Sequence, residues 1–402
     1  MRTTFVVVVV TVCVGMARPA LAQNGSTNGR FVSGPLVWTP SLQLREAGVD
    51  SNIFNGPTGD EKEDTTATAV SRVDSLLTLG ILQAATQGSL DYMYFDRYAE
   101  ERGFNRRVAS HIEFPVTRFS PDLTVSWAKV KERAGSEIDT RAPRTEWGYA
   151  GGLQTRFTSR IAVIATAGRQ EQTYEKGIEF RGVELANQLD RRTTSGDVTA
   201  RVTLTPFTSL VVGGEIGRDE FLSRPDANTD NLRANVAFEF APDAIINGRV
   251  QVGYHSLKPQ HAGASPTTMI ALDGVTSASD VSYTLLGVTR FTGRFSRDSN
   301  YSISTTQPLY LSTAGGLEIL QALFGPVDLD LRASRERLEY PDSPAAPART
   351  DFADLWGGGL SIKVAPETVV ALFYDSSQRR SSAGQQFGYE RRRVYTTVTY
   401  GF

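Results

Sequence analysis

Histidine and cysteine, which often act as catalytic or metal-binding side chains, are sparse in this chain. The three histidines, His111, His255 and His261, lie far apart and lack the spacing of metal ligands. The sequence contains no HExxH or CxxC pair, no GxSxG turn and no phosphate-binding loop that ends in Lys. We therefore predict that the protein is not an enzyme and has no catalytic, metal or cofactor site. His111 is interpreted as a solvated polar residue rather than as a catalytic base.

Two other segments could in principle bind ligands. The run Gly357-Gly358-Gly359 could form a phosphate loop, but it lies within a predicted strand without a following Lys, which favours a packing or bending role. The acidic run at 60–64 could bind a divalent cation, although a solvated loop tip explains it better. The single cysteine, Cys13, lies in the apolar N-terminal segment, so the mature chain should have no disulfide and no thiolate metal site.

Charged residues instead alternate with apolar ones along strand-like segments. Val198 and Val202, for example, lie at even-numbered positions, whereas Asp197 and Arg201 lie at odd-numbered ones. Because successive side chains of a β-strand point to opposite faces, each such segment has one apolar and one polar face. A period of two sustained along most of the chain is difficult to reconcile with helices. After the N-terminal segment, no apolar run is long enough for a membrane-spanning helix.

The last strand ends this pattern at an aromatic residue. Val398, Tyr400 and Phe402 share one face, whereas Arg391 and Arg393 lie on the other. An apolar face that stops at a terminal aromatic resembles the C-terminal signal of bacterial outer-membrane β-barrels. We therefore predict that Val398, Tyr400 and Phe402 form an assembly signal that the outer-membrane barrel assembly machinery reads. The alternative is the amphipathic last strand of a soluble β-sandwich.

The N-terminus has the features of a secretory signal. Arg2 is followed by an apolar run from Phe5 to Val14 and then by Ala20-Leu21-Ala22, a small-residue cleavage pattern. We predict a signal peptide at 1–22, a short periplasmic segment at 23–34 and an outer-membrane barrel at 35–402. The predicted location is the bacterial outer membrane, with its lipid and lipopolysaccharide as partners. The net charge of −2 gives no support for binding nucleic acid.

Turns and polar segments divide the chain into hairpins. The fold class predicted from them is all-β: a transmembrane antiparallel up-and-down barrel of about 18 strands, with short periplasmic turns and long extracellular loops. Tight turns rich in Pro, Gly, Ser and Asp are predicted at 86–88, 120–122, 158–160, 206–209, 241–243, 292–294, 324–326 and 365–368. Long loops are predicted at 47–68, 97–105, 132–143, 174–192, 219–230, 257–279, 306–312, 339–351 and 379–388.

The polar faces of the predicted strands carry both signs of charge. A barrel of this size has a lumen too wide to be filled by the side chains of its own wall. A hydrated lumen of mixed charge should pass polar solutes with weak ion selectivity. The predicted lumen-lining residues are Arg45, Glu146, Arg156, Asp197, Arg201, Arg233, Glu239, Arg249, Asp328, Asp330, Arg332, Arg391 and Arg393.

One predicted loop contains an apolar patch. The segment at 257–279 includes Met269-Ile270-Ala271-Leu272, and apolar side chains gain free energy by leaving water. We expect this segment either to fold inward and narrow the lumen or to pack against neighbouring loops at the rim.

A short motif follows the first predicted strand. Asp50-Ser51-Asn52-Ile53-Phe54 resembles a segment at the same place in a family of outer-membrane β-barrel porins encoded beside exopolysaccharide synthesis and export genes. The order of signal peptide, single barrel and terminal Phe is similar as well. Taken alone, the motif is also explained as an Asx turn that begins a loop.

The family resemblance bears on function. It implies a conduit for secreted exopolysaccharide, with a polysaccharide or periplasmic export proteins as partners. A general diffusion porin for small polar solutes is the first alternative. The second is a structural or adhesion barrel that binds partners through its extracellular loops.

Overall fold

Long antiparallel strands make up most of the chain. The computed structural model describes residues 30–260 and 271–401. The barrel strands β1 to β18 are, in order, Leu36–Asp50, Asp64–Leu79, Leu82–Phe95, Gly103–Glu113, Phe119–Arg133, Arg141–Arg156, Ile161–Tyr174, Arg191–Thr205, Thr208–Phe221, Thr229–Phe240, Ile246–Pro259, Leu272–Leu285, Thr289–Tyr301, Leu309–Phe324, Val327–Tyr340, Arg349–Ala365, Thr368–Ser381 and Tyr389–Gly401.

The sheet closes on itself. Each strand pairs with the next, and β18 pairs with β1, where Leu42 lies opposite Tyr400 and Leu44 opposite Val398. Closure leaves no strand edge with unpaired backbone groups. The predicted all-β barrel of 18 strands is confirmed. Tyr400 and Val398 occupy the outward phase of β18, whereas Phe402 lies outside the described residues, as does the predicted signal peptide.

A few short elements accompany the barrel. Phe31–Ser33 forms a small strand that pairs with the start of β1, and Phe31 stacks on Trp38 with ring centroids 4.7 Å apart. The loop between β7 and β8 contains two paired strands, Glu179–Phe180 and Val183–Glu184, and the helix Leu185–Leu189. Short 3-10 helices, Ala99–Glu101, Pro225–Ala227 and Gln385–Phe387, lie in three other loops.

Within the described part of the chain, no helix has both the length and the apolar character that crossing a bilayer requires.

The polarity of the barrel is the reverse of that of a soluble protein. Large apolar residues on the outward phase are exposed, for example Val198 at 56%, Leu360 at 52% and Trp147 at 55%. Many of the buried residues are polar, and Asp351 and Asp375 are among them. An apolar outer band around a polar interior is the pattern of a barrel whose outside contacts lipid.

The eight long loops that lie entirely within the described residues fall within the predicted segments or overlap them, but three of the predicted tight turns are wrong. The predicted turns at 86–88, 120–122 and 292–294 lie inside β3, β5 and β13. The chain reverses instead at 80–81, 114–118 and 286–288. These turns contain Ile81, Phe114 and Leu286, so polarity does not mark them. Two of them rely on glycine at positive φ, Gly80 at 59° and Gly287 at 74°.

The strand phase can be tested by a pair of adjacent substitutions. Val236 lies outward near the middle of β10, between Val212 and Val252, whereas Asn235 lies inward. Val236→Arg is expected to destabilise the barrel by about 2–4 kcal/mol, because it places a cation in the bilayer interior. Asn235→Arg should be nearly neutral because it faces the hydrated lumen. The measurement is unfolding in detergent or lipid, and equal destabilisation by both variants would contradict the phase.

Candidate functional site: a lumen narrowed by an inward loop

Ion pairs between strands that are not adjacent identify the inward face of the barrel. Arg332 on β15 contacts Asp375 on β17 at 2.6 Å, although β16 lies between them. Arg201 on β8 contacts Glu239 on β10 at 2.8 Å across β9. In a closed barrel, such contacts between non-adjacent strands require side chains on the concave side. The strand register places every predicted lumen residue on this same inward phase.

The predicted residues do not form a single site. Glu239 lies between two cations, Arg201 and Arg249, while Arg233 pairs with Asp298 at 2.8 Å. Other pairs join Arg45 with Asp91, Glu146 with Arg144, and Arg391 with Asp50. Within residues 30–260 and 271–401, Arg156, Asp197, Asp328 and Asp330 form no ion pair.

The most connected inward group centres on Asp375. Its carboxylate accepts hydrogen bonds from Arg332, from Arg393 at 2.9 Å and from the Tyr395 hydroxyl at 3.0 Å. The glycine run in β16 makes room for this group. A Cβ at Gly357 would lie 2.2 Å from the Asp375 carboxylate, and one at Gly359 would lie 2.2 Å from the Phe373 ring. The packing role predicted for these glycines is confirmed.

A short loop crosses the lumen. Residues 134–140 connect β5 to β6, yet the Ser136 hydroxyl donates to Glu336 on β15 at 2.5 Å. Arg379 on β17 donates to the Ser136 carbonyl at 2.8 Å. In an 18-strand ring, β5 and β15 lie on opposite walls. This segment, the crossing loop, therefore spans and narrows the lumen.

The crossing loop is also held on its other side. The Glu137 carboxylate accepts hydrogen bonds from Ser302 Oγ at 2.6 Å and from the Ile303 backbone N–H at 3.0 Å. Ile138 is buried in a small apolar cluster with Tyr174, Leu185, Leu189 and Ile303 among its members. Apolar burial and hydrogen bonds to distant strands together hold the loop in its inward position.

The motif at 50–54 supports the crossing loop. The Asp50 carboxylate accepts a bifurcated hydrogen bond from Arg391 Nε, at 2.9 Å to Oδ1 and 3.0 Å to Oδ2, and a further bond from Nη2. The Asn52 backbone N–H donates to Asp50 Oδ1 at 3.1 Å, so the predicted Asx turn is present. The Asn52 side chain donates to the carbonyl of Glu390 at 2.9 Å. These contacts, which we call the seam clamp, join the end of β1 to the start of β18.

From the seam clamp, contacts continue into the crossing loop. Arg133 donates to the Ile53 carbonyl and to the Asp139 carbonyl, both at 2.7 Å. Asn55 donates to the Asp139 carboxylate at 2.8 Å. The motif at 50–54 therefore has a structural role, because it holds one end of the crossing loop.

A second loop covers the mouth. Residues 175–190 lie between β7 and β8, but the Arg181 guanidinium packs 4.4 Å from the Phe387 ring in the loop between β17 and β18. Arg349 packs 4.8 Å from the same ring. Cation–π contacts of this kind stabilise by about 0.5–2 kcal/mol each, depending on exposure. Residues 175–190, which we call the mouth loop, therefore also reach the opposite wall of the barrel.

The sequence pattern predicts a constriction in a different segment from the crossing loop. Both ends of the predicted loop at 257–279 belong to strands, because β11 extends to Pro259 and β12 begins at Leu272. Leu272 packs at the edge of an apolar cluster that contains Leu257. Met269 and Ile270 lie outside the described residues, so their predicted inward fold stays a prediction. The crossing loop has a similar sequence feature, because the apolar residue Ile138 lies within a short polar segment.

The histidines lie in polar surroundings. His255 contacts Ser299 Oγ at 2.7 Å, and His111 contacts Thr124 Oγ1 at 2.9 Å, while His261 falls outside the described residues. Across the described ranges, no group of three or more His, Cys, Asp or Glu side chains is arranged to hold a metal ion. The cavity beside the crossing loop is lined by both charges, including Arg191, Asp219 and Arg233.

Glu137 gives the crossing loop a pH dependence. Burial raises the pKa of its carboxyl above 4.5, although the hydrogen bonds from Ser302 and Ile303 and the charges of Arg349 and Arg379 act the other way. A raised pKa means that the docked loop binds the proton more tightly than an undocked loop. Docking is therefore most favourable below the ordinary pKa and weakens as pH rises through the raised value.

We accordingly expect conductance to rise as pH increases from about 4.5 through the raised pKa of Glu137. The uncharged isostere Glu137→Gln should hold the loop docked and remove this dependence. Single-channel recording across the pH range is the measurement. An unchanged pH profile in the glutamine variant would show that another group is responsible.

Comparison with known proteins agrees with this architecture. The family model described as “Putative beta-barrel porin 2” matches residues 18–402. OccK2 (OpdF) from Pseudomonas aeruginosa has a similar structure, with a TM-score of 0.56 and 12% sequence identity. The BenF-like porin from Pseudomonas fluorescens Pf-5 gives a TM-score of 0.54 at 9% identity. OpdK from Pseudomonas aeruginosa, solved with vanillate, gives 0.52 at 12%.

Each of these three alignments covers 91% of this chain and 98% of the other. No curated protein matches the chain. At such low identity the solved structures show the fold, whereas the family model covers nearly the whole sequence. The chain therefore belongs to the family described as “Putative beta-barrel porin 2” and is a porin-like β-barrel of the bacterial outer membrane.

Proposed function

We propose that the protein is a size-restricted channel for small polar solutes. The observation that supports this function best is the crossing loop, which reaches from β5 to Glu336 and Arg379 on the opposite wall. A wide barrel alone would pass large solutes, but an anchored segment across its lumen reduces the cross-section. The charged wall around it is suited to hydrated solutes rather than to apolar ones.

The charge pattern bears on selectivity. Cations and anions are interleaved along the lumen wall. They alternate in the Arg201, Glu239 and Arg249 group near the tight turns, and in the Arg332, Asp375 and Arg393 group near the middle of the strands. Neither sign dominates one wall in these groups. We therefore expect selection mainly by size and only weakly by charge.

Liposome swelling tests the size limit. Proteoliposomes that contain the full chain should swell quickly in pentoses and hexoses, and much more slowly in trisaccharides and longer neutral oligosaccharides. Liposomes without protein provide the background. Equal swelling rates in pentoses and in long oligosaccharides would contradict a size-restricted channel.

A conduit for secreted exopolysaccharide is the second candidate. It is supported by the resemblance of the motif Asp50-Ser51-Asn52-Ile53-Phe54 to the porin family encoded beside exopolysaccharide genes, and by the family match along the chain. A polymer would need the crossing loop to leave the lumen. The conduit function predicts that deleting the gene causes polysaccharide to accumulate in the periplasm, whereas a solute channel predicts normal secretion and slower solute uptake.

A further inference from the structure

Two like charges face each other on the outer wall. Arg106 on β4 lies directly opposite Lys129 on β5, and both are exposed on the outward phase. Like charges directly opposite one another across a pair of strands are destabilising. Within the ranges 30–260 and 271–401, neither side chain has an acidic partner.

Other outward arginines do have such partners. Arg335 and Arg380 share Asp354 at 2.5 and 2.9 Å, and Arg218 pairs with Asp230 at 3.0 Å. The barrel therefore neutralises several of its outward cations internally but leaves Arg106 on β4 and Lys129 on β5 for another anion.

The height of these cations limits which anion can reach them. Lys129 follows Trp127 by two residues on the same face, toward the long loops, and Trp127 lies 6.2 Å from Trp147 between ring centroids. Trp147 is 55% exposed on the outward wall. Exposed aromatics form the girdle at the interface between hydrocarbon and headgroups. Lys129 and Arg106 consequently lie at the headgroup level of the outer leaflet.

We propose that Arg106 and Lys129 bind the phosphorylated headgroup of lipopolysaccharide. Guanidinium and ammonium groups form charge-assisted hydrogen bonds with phosphate oxygens, and the aromatic girdle below them packs against the first part of the acyl chains. This membrane lipid supplies the negative charge that the protein surface lacks at this place. The site is independent of conduction through the lumen.

Binding of purified lipid A to the folded barrel in detergent tests the site, with native mass spectrometry as the readout. The probes are diphosphorylated lipid A and lipid A from which both phosphates have been removed. Arg106→Gln combined with Lys129→Gln should weaken binding of the diphosphorylated form by about fivefold for each cation removed. The dephosphorylated form should bind weakly to the wild type and to the variant alike.

The matched control combines Arg218→Gln with Arg335→Gln, which removes two outward cations that already have carboxylate partners. It should leave lipid A binding nearly unchanged. An equal loss in both double variants, or equal binding of the two lipid A forms, would overturn the proposal. Displacement of lipid A by millimolar inorganic phosphate would also overturn it, because it would show a general anion site. If the double variant fails to fold, Lys129→Gln alone provides the same test.

Discussion

Removing residues 136–139 is expected to raise the single-channel conductance of the reconstituted protein several-fold. Ser136 and Glu137 make the bonds to Glu336, Arg379, Ser302 and Ile303, so their deletion releases the crossing loop from the far wall. The open lumen of an 18-strand barrel is wide enough to conduct freely. Planar bilayer recording measures the change.

The matched control removes 343–346, the exposed tip of the loop between β15 and β16. This loop has a similar length but does not cross the lumen, so its loss should leave the conductance close to that of the wild type. An unchanged conductance after deletion of 136–139, with the barrel intact on unheated gels, would exclude the crossing loop as the constriction.

Asp50→Ala is expected to lower the stability of the barrel by about 1.5–3 kcal/mol, because it leaves the half-buried guanidinium of Arg391 without its anion. The same change weakens the support of the crossing loop, so the channel should also open more often. The temperature at which the protein shifts to its unfolded mobility on SDS gels measures the first effect. Bilayer recording measures the second.

A double variant separates charge from packing. Asp50→Asn combined with Arg391→Gln removes both charges and should recover much of the stability lost in Asp50→Ala. Asp60→Asn, in the exposed part of the loop that follows Asp50, should leave the stability unchanged. If the double variant were less stable than the single one, the ion pair would not be the source of the effect.

The strand phases were predictable because they depend on nearest neighbours in sequence. Tyr395 was the one bulky residue on the polar phase of the last strand, and the structure places it inward, where it donates to Asp375. The lumen candidates follow from the same rule, since any charged residue in that phase must face inward. The misplaced turns show the limit of this reasoning, because a membrane barrel can reverse through apolar residues such as Ile81 and Leu286.

The constriction was not predictable in the same way. Ser136 contacts Glu336 from 200 residues away and Arg379 from 243 residues away. No periodicity in the sequence encodes such contacts, since they depend on how the closed ring brings opposite walls together. The motif at 50–54 resembles a family segment, but its role depends on Arg391, a residue that the sequence indicates only as part of the lumen wall.

The seam clamp also has a consequence for biogenesis. Asp50 and Arg391 are separated by 341 residues, so their bond can form only when the first and last strands meet. The Ile53 carbonyl and Asn55, which hold the crossing loop, belong to the segment that this bond fixes. The narrowing of the lumen should therefore be completed last, after the ring has closed. An assembly intermediate with an open seam would lack its permeability barrier, which makes seam closure the step that protects the membrane from leakage.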